Sequence, residues 1–187
     1  ALVEAAQRDP SAFDALYRRY LAQVYSFAFY ELGHHADAED VTERVFLHAL
    51  AALPRFEERA LPEDGDGAST FRVWLFQIAR NAIATEHRAR RRRAAASLDA
   101  LEDRADEAPR ADPAEQALAR ASASAALAAI ADLPADRRRA LVLRFVDQMS
   151  TAEIAGVLGR SEAAVRVLIH RSLRSVARRL GPDGREP

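Results

Sequence analysis

Residues 150–180 constrain this chain more than any other segment. Ser150 can cap a helix beginning at Thr151, and Glu153 stands three residues on, at the spacing of a capping box. Ile154, Ala155 and Leu158 supply an apolar face at helical steps. Gly159 follows, the residue type that tolerates the left-handed turn at a helix end. Ser161 can cap a second helix, running from Glu162 to about Leu180 and carrying Arg166, His170, Arg171, Arg174 and Arg178. A short capped helix, a glycine turn and a longer basic helix form a helix-turn-helix, whose second helix lies in the major groove of DNA. The segment therefore predicts a helical domain that reads DNA.

The 187 residues leave room for one domain or two small ones. Hydrophobic residues make up 49% of the chain, but Ala dominates them and aromatics are only 7%, a balance that favours helices with modest cores. The absence of Cys excludes disulfides and thiolate metal sites. No stretch approaches the ~20 uncharged apolar residues of a membrane span, and the first residues lack a secretion pattern. The expectation is a cytoplasmic protein without membrane insertion. The net charge of −1 is unevenly spread: −1 over residues 1–95, −4 over 96–122 and +4 over 123–187. Every basic side chain is Arg.

Periodicity organises the rest. Asp9-Pro10-Ser11 predicts a helix start, followed by Phe13, Leu16, Tyr17, Tyr20, Leu21, Val24 and Phe27 at three- and four-residue steps and a break at Gly33-His34-His35. A second helix is predicted from Asp37 to about Leu53, with Val41, Val45, Phe46, Ala49, Leu50 and Leu53 as its apolar positions and Pro54 ending it. Residues 55–70 read as an acidic loop broken by Pro62, Gly65 and Gly67. A third helix begins near Ser69 or Thr70, passes through Phe71, Trp74, Leu75, Ile78, Ala79, Ala82 and Ile83, and becomes a solvated basic tail from Arg88 to Arg93. From Ala94 to about Ala119 periodicity is lost, and Pro109 and Pro113 forbid a continuous helix. A helix from about Ala119 to Ala131 follows, then one opened by Leu133-Pro134 with Leu141, Val142, Leu143, Phe145 and Val146 as its apolar side. The predicted fold class is all-α: two small helical domains joined by a flexible acidic linker, the second containing the helix-turn-helix.

Three segments together resemble the small two-domain extracytoplasmic-function (ECF) sigma factors of bacterial RNA polymerase. Ala38-Glu39-Asp40-Val41-Thr42-Glu43-Arg44-Val45-Phe46-Leu47 is similar to the group's AED-hydrophobic-x-Q-E-x-F-L segment. Phe71 to Asn81, with its basic tail, resembles the W-L-x-x-I-A-R-N signature. Leu133-Pro134 through Phe145, Ala152 through Gly159 and Ala164 through Arg171 resemble the group's C-terminal DNA-reading domain. The order and spacing of the three carry the resemblance, because A-E-I-A-x-x-L-G helices alone occur in many regulators.

The resemblance implies a region 2 domain over residues 1–95, a linker over 96–122 and a region 4 domain over 123–181. It implies core RNA polymerase as partner, through the β′ clamp helices and the β flap, promoter DNA as ligand, and an anti-sigma factor as inhibitor. The residues implied on the polymerase are Glu39, Asp40, Glu43, Arg44, Phe46 and Leu47; Glu43 and Arg44 depart from the usual Gln and Glu. The loop 55–70 falls where relatives capture a flipped base of the −10 element, with Phe56, Ser69, Thr70 and Arg72 as its candidate lining. Arg88, Arg90, Arg91, Arg92 and Arg93 suit contact with phosphates rather than base reading.

In the helix-turn-helix, the capping Ser161 is a DNA-binding candidate, and Glu162, Ala163 and Arg166 of the first turn are placed for base edges at the −35 element. His170 shares the face of Arg166, with Arg171 beside it, as further DNA-binding candidates, and Arg174 and Arg178 lie further along, toward phosphates or the polymerase. His34, His35, Asp37, Glu39 and Asp40 are too local in sequence to surround a metal ion. No nucleophile and base pair up, so neither a cofactor nor catalysis is expected. A dimeric operator-binding regulator and a nucleic-acid enzyme remain as rivals; the first leaves the Trp74–Asn81 segment unexplained, and the second lacks a nucleophile or a carboxylate cluster.

Overall fold

The computed structural model describes residues 1–58, 69–96 and 128–180. The loop residues 59–68 and the predicted linker from 97 onward lie outside that set, as does most of the helix predicted from Ala119. Among the described residues the chain is helical, without strands.

The first unit is built on three long helices. Helix α2, Phe13–Leu32, buries Phe13, Leu16, Tyr20, Val24 and Phe27 along one face and ends where Gly33 turns left-handed at φ +68° and donates its N–H to the Phe29 carbonyl. Helix α3, His35–Ala52, buries Ala38, Val41, Val45, Phe46 and Ala49, and a 3-10 turn over Leu53–Arg55 closes it at Pro54. Helix α4, Thr70–Ala96, starts under a cap: Ser69 Oγ accepts from the Arg72 N–H at 3.2 Å. Aromatic contacts weld the three together: between ring centroids, Phe27 to Phe76 at 5.4 Å and Tyr20 to Phe71 at 5.6 Å join α2 to α4, and Tyr17 to Phe46 at 4.8 Å joins α2 to α3.

Two boundaries differ from the periodicity reading. A further helix α1, Leu2–Arg8, precedes the predicted start, and Asp9 caps only the 3-10 turn Pro10–Ala12 before α2 begins. α1 is held by Gln7, whose side-chain amide donates to the carbonyls of Leu53 and Phe56. A segment of seven residues is too short to show a helical repeat, so tertiary hydrogen bonds decide it.

The second unit comprises α5, described over residues 128–131, α6 (Ala135–Leu141) with a π-helical extension Val142–Val146, α7 (Thr151–Leu158) and α8 (Glu162–Leu180). Leu141, Val142 and Leu143 are buried, whereas Phe145 is 57% exposed and Val146 is also exposed. The wider π turn rotates the last residues off the packed face, which corrects the expectation for those two. On α8 the packed side is Val165 and Ser172, with Ile169 and Val176 half-buried; Leu180 at its end is exposed.

The units do not stand apart. Val73 and Leu75 of α4 belong to the same buried cluster as Val142, Leu143, Met149 and Ile154. Helix α7 lies against α4, and α6 reaches the end of α2.

Candidate nucleic-acid interface

The helix-turn-helix has the local geometry its residues call for. Ser150 Oγ accepts from the Glu153 N–H at 3.1 Å, and Glu153 Oε2 accepts from the Ser150 N–H at 2.9 Å, a complete capping box. Gly159 sits at φ +65°, and Ser161 Oγ accepts from the Ala164 N–H at 3.2 Å, capping α8. These local bonds fix the angle at which α8 leaves α7.

The outer face of α8 is open. Ser161, Ala163, Arg166, His170, Arg171 and Arg174 are exposed and Glu162 is half-buried. Arg166 makes a bond of 3.1 Å to Glu162 one turn back. Arg171, Arg174 and Arg178 line an open cavity of about 840 Å³ with Arg137 of α6, and none of these four has a carboxylate partner among the described residues. Such convergence of unpaired guanidiniums favours a polyanion.

The basic segment is less uniform than its sequence. Helix α4 continues through Arg93, so the basic segment is the end of that helix. Arg88, Arg91 and Arg92 are exposed and free of carboxylates among the described residues. Arg90 instead bonds the Leu32 carbonyl at 2.9 Å and pairs with Asp37, tying α4 to the α2–α3 corner. Arg93 bonds Glu86 Oε1 at 2.6 Å.

The loop candidates scatter. Phe56 packs on Trp74 at 4.9 Å and edge-on against Phe71 at 5.7 Å, which places it in an aromatic cluster rather than free to stack a base. Phe71 is buried, and Trp74 is half-buried against it. Thr70 Oγ1 donates to Glu58 at 3.2 Å. Ser69 and Arg72 face the second unit: the Ser69 N–H donates to Glu153 Oε1 at 3.2 Å, and Arg72 Nη1 lies 3.5 Å from Glu153 Oε2.

On α3, Glu39, Asp40, Glu43 and Leu47 are exposed, with Leu47 at 58%. Phe46 is buried against Tyr17 at 4.8 Å and Phe13 at 6.4 Å. Its place is the floor of an apolar groove of about 810 Å³ between α2 and α3, rather than the outer surface. Arg44 turns away from that groove to donate to Glu86 at 2.7 Å. His35, considered for metal, bonds the Tyr25 hydroxyl at 2.5 Å and stacks on Phe29 at 4.3 Å.

Sequence reasoning passed over several residues that hold these surfaces. Glu31 sits on the apolar face of α2, one turn after Phe27 and Ala28, its side chain fully buried. Arg138 Nε lies 3.3 Å and Arg139 Nε 3.0 Å from its two oxygens. A carboxylate on an apolar stripe is itself the signal: it must be paired. His87 lies close to this cluster; burial above all pushes its imidazole below the ordinary histidine range, opposed by Glu31 and reinforced by Arg139 and Arg138.

Two all-helical units in this order, the second a helix-turn-helix with an Arg-lined outer face, define a DNA-binding protein of the sigma type. Residues 16–93 match the Sigma-70 region 2 family and residues 123–176 match Sigma-70, region 4. The ECF RNA polymerase sigma factor SigL of Mycobacterium tuberculosis is 34% identical over 174 residues, 92% of this chain and 90% of that protein. The chain belongs to the ECF RNA polymerase sigma factors. BldN of Streptomyces coelicolor, another member, is 35% identical over 185 residues, 98% of this chain, which spans 66% of BldN's length. The solved structure of the sigma factor RpoE in complex with the anti-sigma factor NepR from Bartonella quintana shares the fold, with a TM-score of 0.69 at 22% identity over 91% of this chain and 98% of that one. No described helix is long and apolar enough to cross a membrane.

Proposed function

We propose that this chain is a promoter-specificity subunit: it binds core RNA polymerase, recognises two promoter elements and holds the melted strand so that initiation can begin. The observation that carries this reading is the match to both regions, in order, with the capped helix-turn-helix intact in the second. Residues 1–95 serve as the polymerase-binding and −10 domain, 96–122 as the linker and 123–181 as the −35 domain. The contribution is differential binding rather than catalysis: an opened promoter is held more tightly than a duplex, which shifts the melting equilibrium.

The polymerase face is the exposed row Glu39, Asp40, Glu43 and Leu47 beside the α2–α3 groove, with Phe46 acting from beneath. Base edges meet Ser161, Glu162, Ala163 and Arg166. Phosphates meet His170, Arg171 and Arg174 on α8 and Arg88, Arg91 and Arg92 on α4. The setting is cytoplasmic, and control is by an anti-sigma factor, as in the complex formed by the Bartonella quintana protein.

Run-off transcription with core polymerase lacking any other sigma factor tests the reading across a promoter library. Template-specific product is expected. Folded protein that stimulates no template, with no inhibitor present, counts against it.

A further inference from the structure

We infer that the cleft between α6 and α8 is a binding site for a polyphosphate, a ligand of several linked phosphoryl groups, held by Arg137, Arg171, Arg174 and Arg178. Its consequence, competition with upstream DNA for Arg171 and Arg174, rests on the promoter reading above; the binding itself does not.

The arginines of the second unit divide by whether they are partnered. Arg138 and Arg139 hold Glu31, Arg160 pairs with Asp136, Arg166 with Glu162 and Arg179 with Asp132. Arg144 donates to the Met149 carbonyl at 3.0 Å. The remaining four, Arg137, Arg171, Arg174 and Arg178, have no side-chain hydrogen bond or carboxylate partner among the described residues. These same four line the cavity of about 840 Å³, and Ala177, too small to fill it, completes the lining.

The arrangement is costly without an anion. Arg171, Arg174 and Arg178 follow one another at helical steps of three and four residues, and like charges at that spacing destabilise a helix. The single acidic residue of α8, Glu162, is taken by Arg166 at the far end of the helix. Arg137 adds a fourth positive charge from α6 and is half-buried, whereas the three arginines of α8 are exposed. A bound polyanion turns this repulsion into charge-assisted hydrogen bonds, and the planar guanidinium fork meets phosphate oxygens two at a time.

Span selects the ligand. Arg171 and Arg178 are separated by roughly 10 Å along α8, at 1.5 Å of rise per residue. One orthophosphate does not bridge that distance and also reach Arg137; linked phosphates do. The residues assigned to base edges lie at the start of α8, but Arg171 and Arg174, assigned to DNA phosphates, belong to the cleft as well. An occupied cleft therefore withdraws both from the DNA backbone.

Tripolyphosphate, free of divalent ions, is the probe. Isothermal titration of the full chain should show one site per chain, with an affinity at least about tenfold above that for orthophosphate at matched ionic strength. Arg137→Ala should weaken binding about tenfold, the worth of one charge-assisted hydrogen bond. Arg178→Ala, a change at an exposed position, should weaken it as well. Arg19→Ala removes the same charge from an exposed position on α2 and should alter it by less than about twofold. Thermal melting separates binding from folding: without anion Arg137→Ala should melt no lower than the parent, yet lose most of the stabilisation that tripolyphosphate gives the parent.

Equal losses in Arg137→Ala and Arg19→Ala, many weak sites, or equal affinity for orthophosphate and tripolyphosphate would reduce the effect to diffuse charge and overturn the site. On a promoter duplex recovered from the run-off library, tripolyphosphate should displace the parent chain and require about tenfold more to displace Arg137→Ala. Displacement of both at one concentration overturns the competition. The titration uses no DNA, so polyphosphate binding and promoter-directed transcription can each fail while the other succeeds.

Discussion

Arg139 Nε lies 3.0 Å from Glu31 Oε2, and this bond joins the last turn of α2 to α6, 108 residues later in the chain. Arg138 takes the other oxygen, so a fully buried carboxylate is held by two guanidiniums that are themselves nearly buried. A buried charge in this setting is tolerated only with its partners present.

Glu31→Gln should therefore cost about 3 kcal/mol, because Arg138 loses its carboxylate and Arg139 keeps only Asp136, at 3.6 Å, while both stay largely shielded from water. Urea unfolding followed by circular dichroism measures it. A loss below about 1 kcal/mol, the scale of exposed pairs, would show that the cluster is solvated in solution.

Arg44 and Glu86 make a gentler, pH-dependent pair. The Arg44 hydrogen bond above all holds the Glu86 carboxyl below its ordinary value of 4.5, opposed by burial and helped by Arg93. A carboxylate with a depressed folded pKa stabilises the fold above its unfolded pKa and loses that contribution as pH falls through the folded one. Arg44→Ala should destabilise by about 1 kcal/mol at pH 7, given that Arg44 is half-exposed. The difference from the parent should shrink as pH falls below 4.5. A gap constant down to pH 3 would contradict the pairing.

Asp147 works in the opposite direction. It is 2% exposed, neither carboxyl oxygen has a hydrogen-bond partner among the described residues, and burial raises its pKa from 3.8 to about 7, against the pull of Arg72. A folded pKa above the unfolded one means that the fold binds the extra proton, so this group's contribution falls as pH rises from about 4 through about 7. Asp147→Asn removes the charge and should gain stability over the parent at pH 8, by up to roughly 4 kcal/mol, with much less gain at pH 5. Equal gains at the two pH values would place the carboxyl in water.

Arg91 and Arg92 extend from α4 without carboxylate partners among the described residues, unlike Arg90 and Arg93. If they meet phosphates in the polymerase complex, Arg91→Ala with Arg92→Ala should weaken promoter binding and flatten its dependence on log salt by about 0.9 for each phosphate no longer neutralised. The Arg90→Ala change should act first on thermal stability, because the Leu32 and Asp37 bonds go with it. An unaltered salt slope in the double variant would remove the phosphate role.

Local order determined most of what could be read in advance. The helix-turn-helix was legible because its signals act within four residues: Ser150 with Glu153, Gly159 at its turn, Ser161 with Ala164. The long helices α2, α3 and α4 were legible because burial of one face imposes a 3.6-residue repeat on the sequence. Tertiary structure decided the rest, since those contacts join residues whose separation leaves no periodic trace. Nothing near Phe56 in sequence announces that Trp74 and Phe71 will cover it. Nothing near Arg72 announces Glu153, and Gly156 reads as a flaw in a helix until Val73 is found in the place of its side chain. Which side chains a helix carries follows from the order of the chain, but which of them remain free to meet DNA depends on what the folded molecule packs against them.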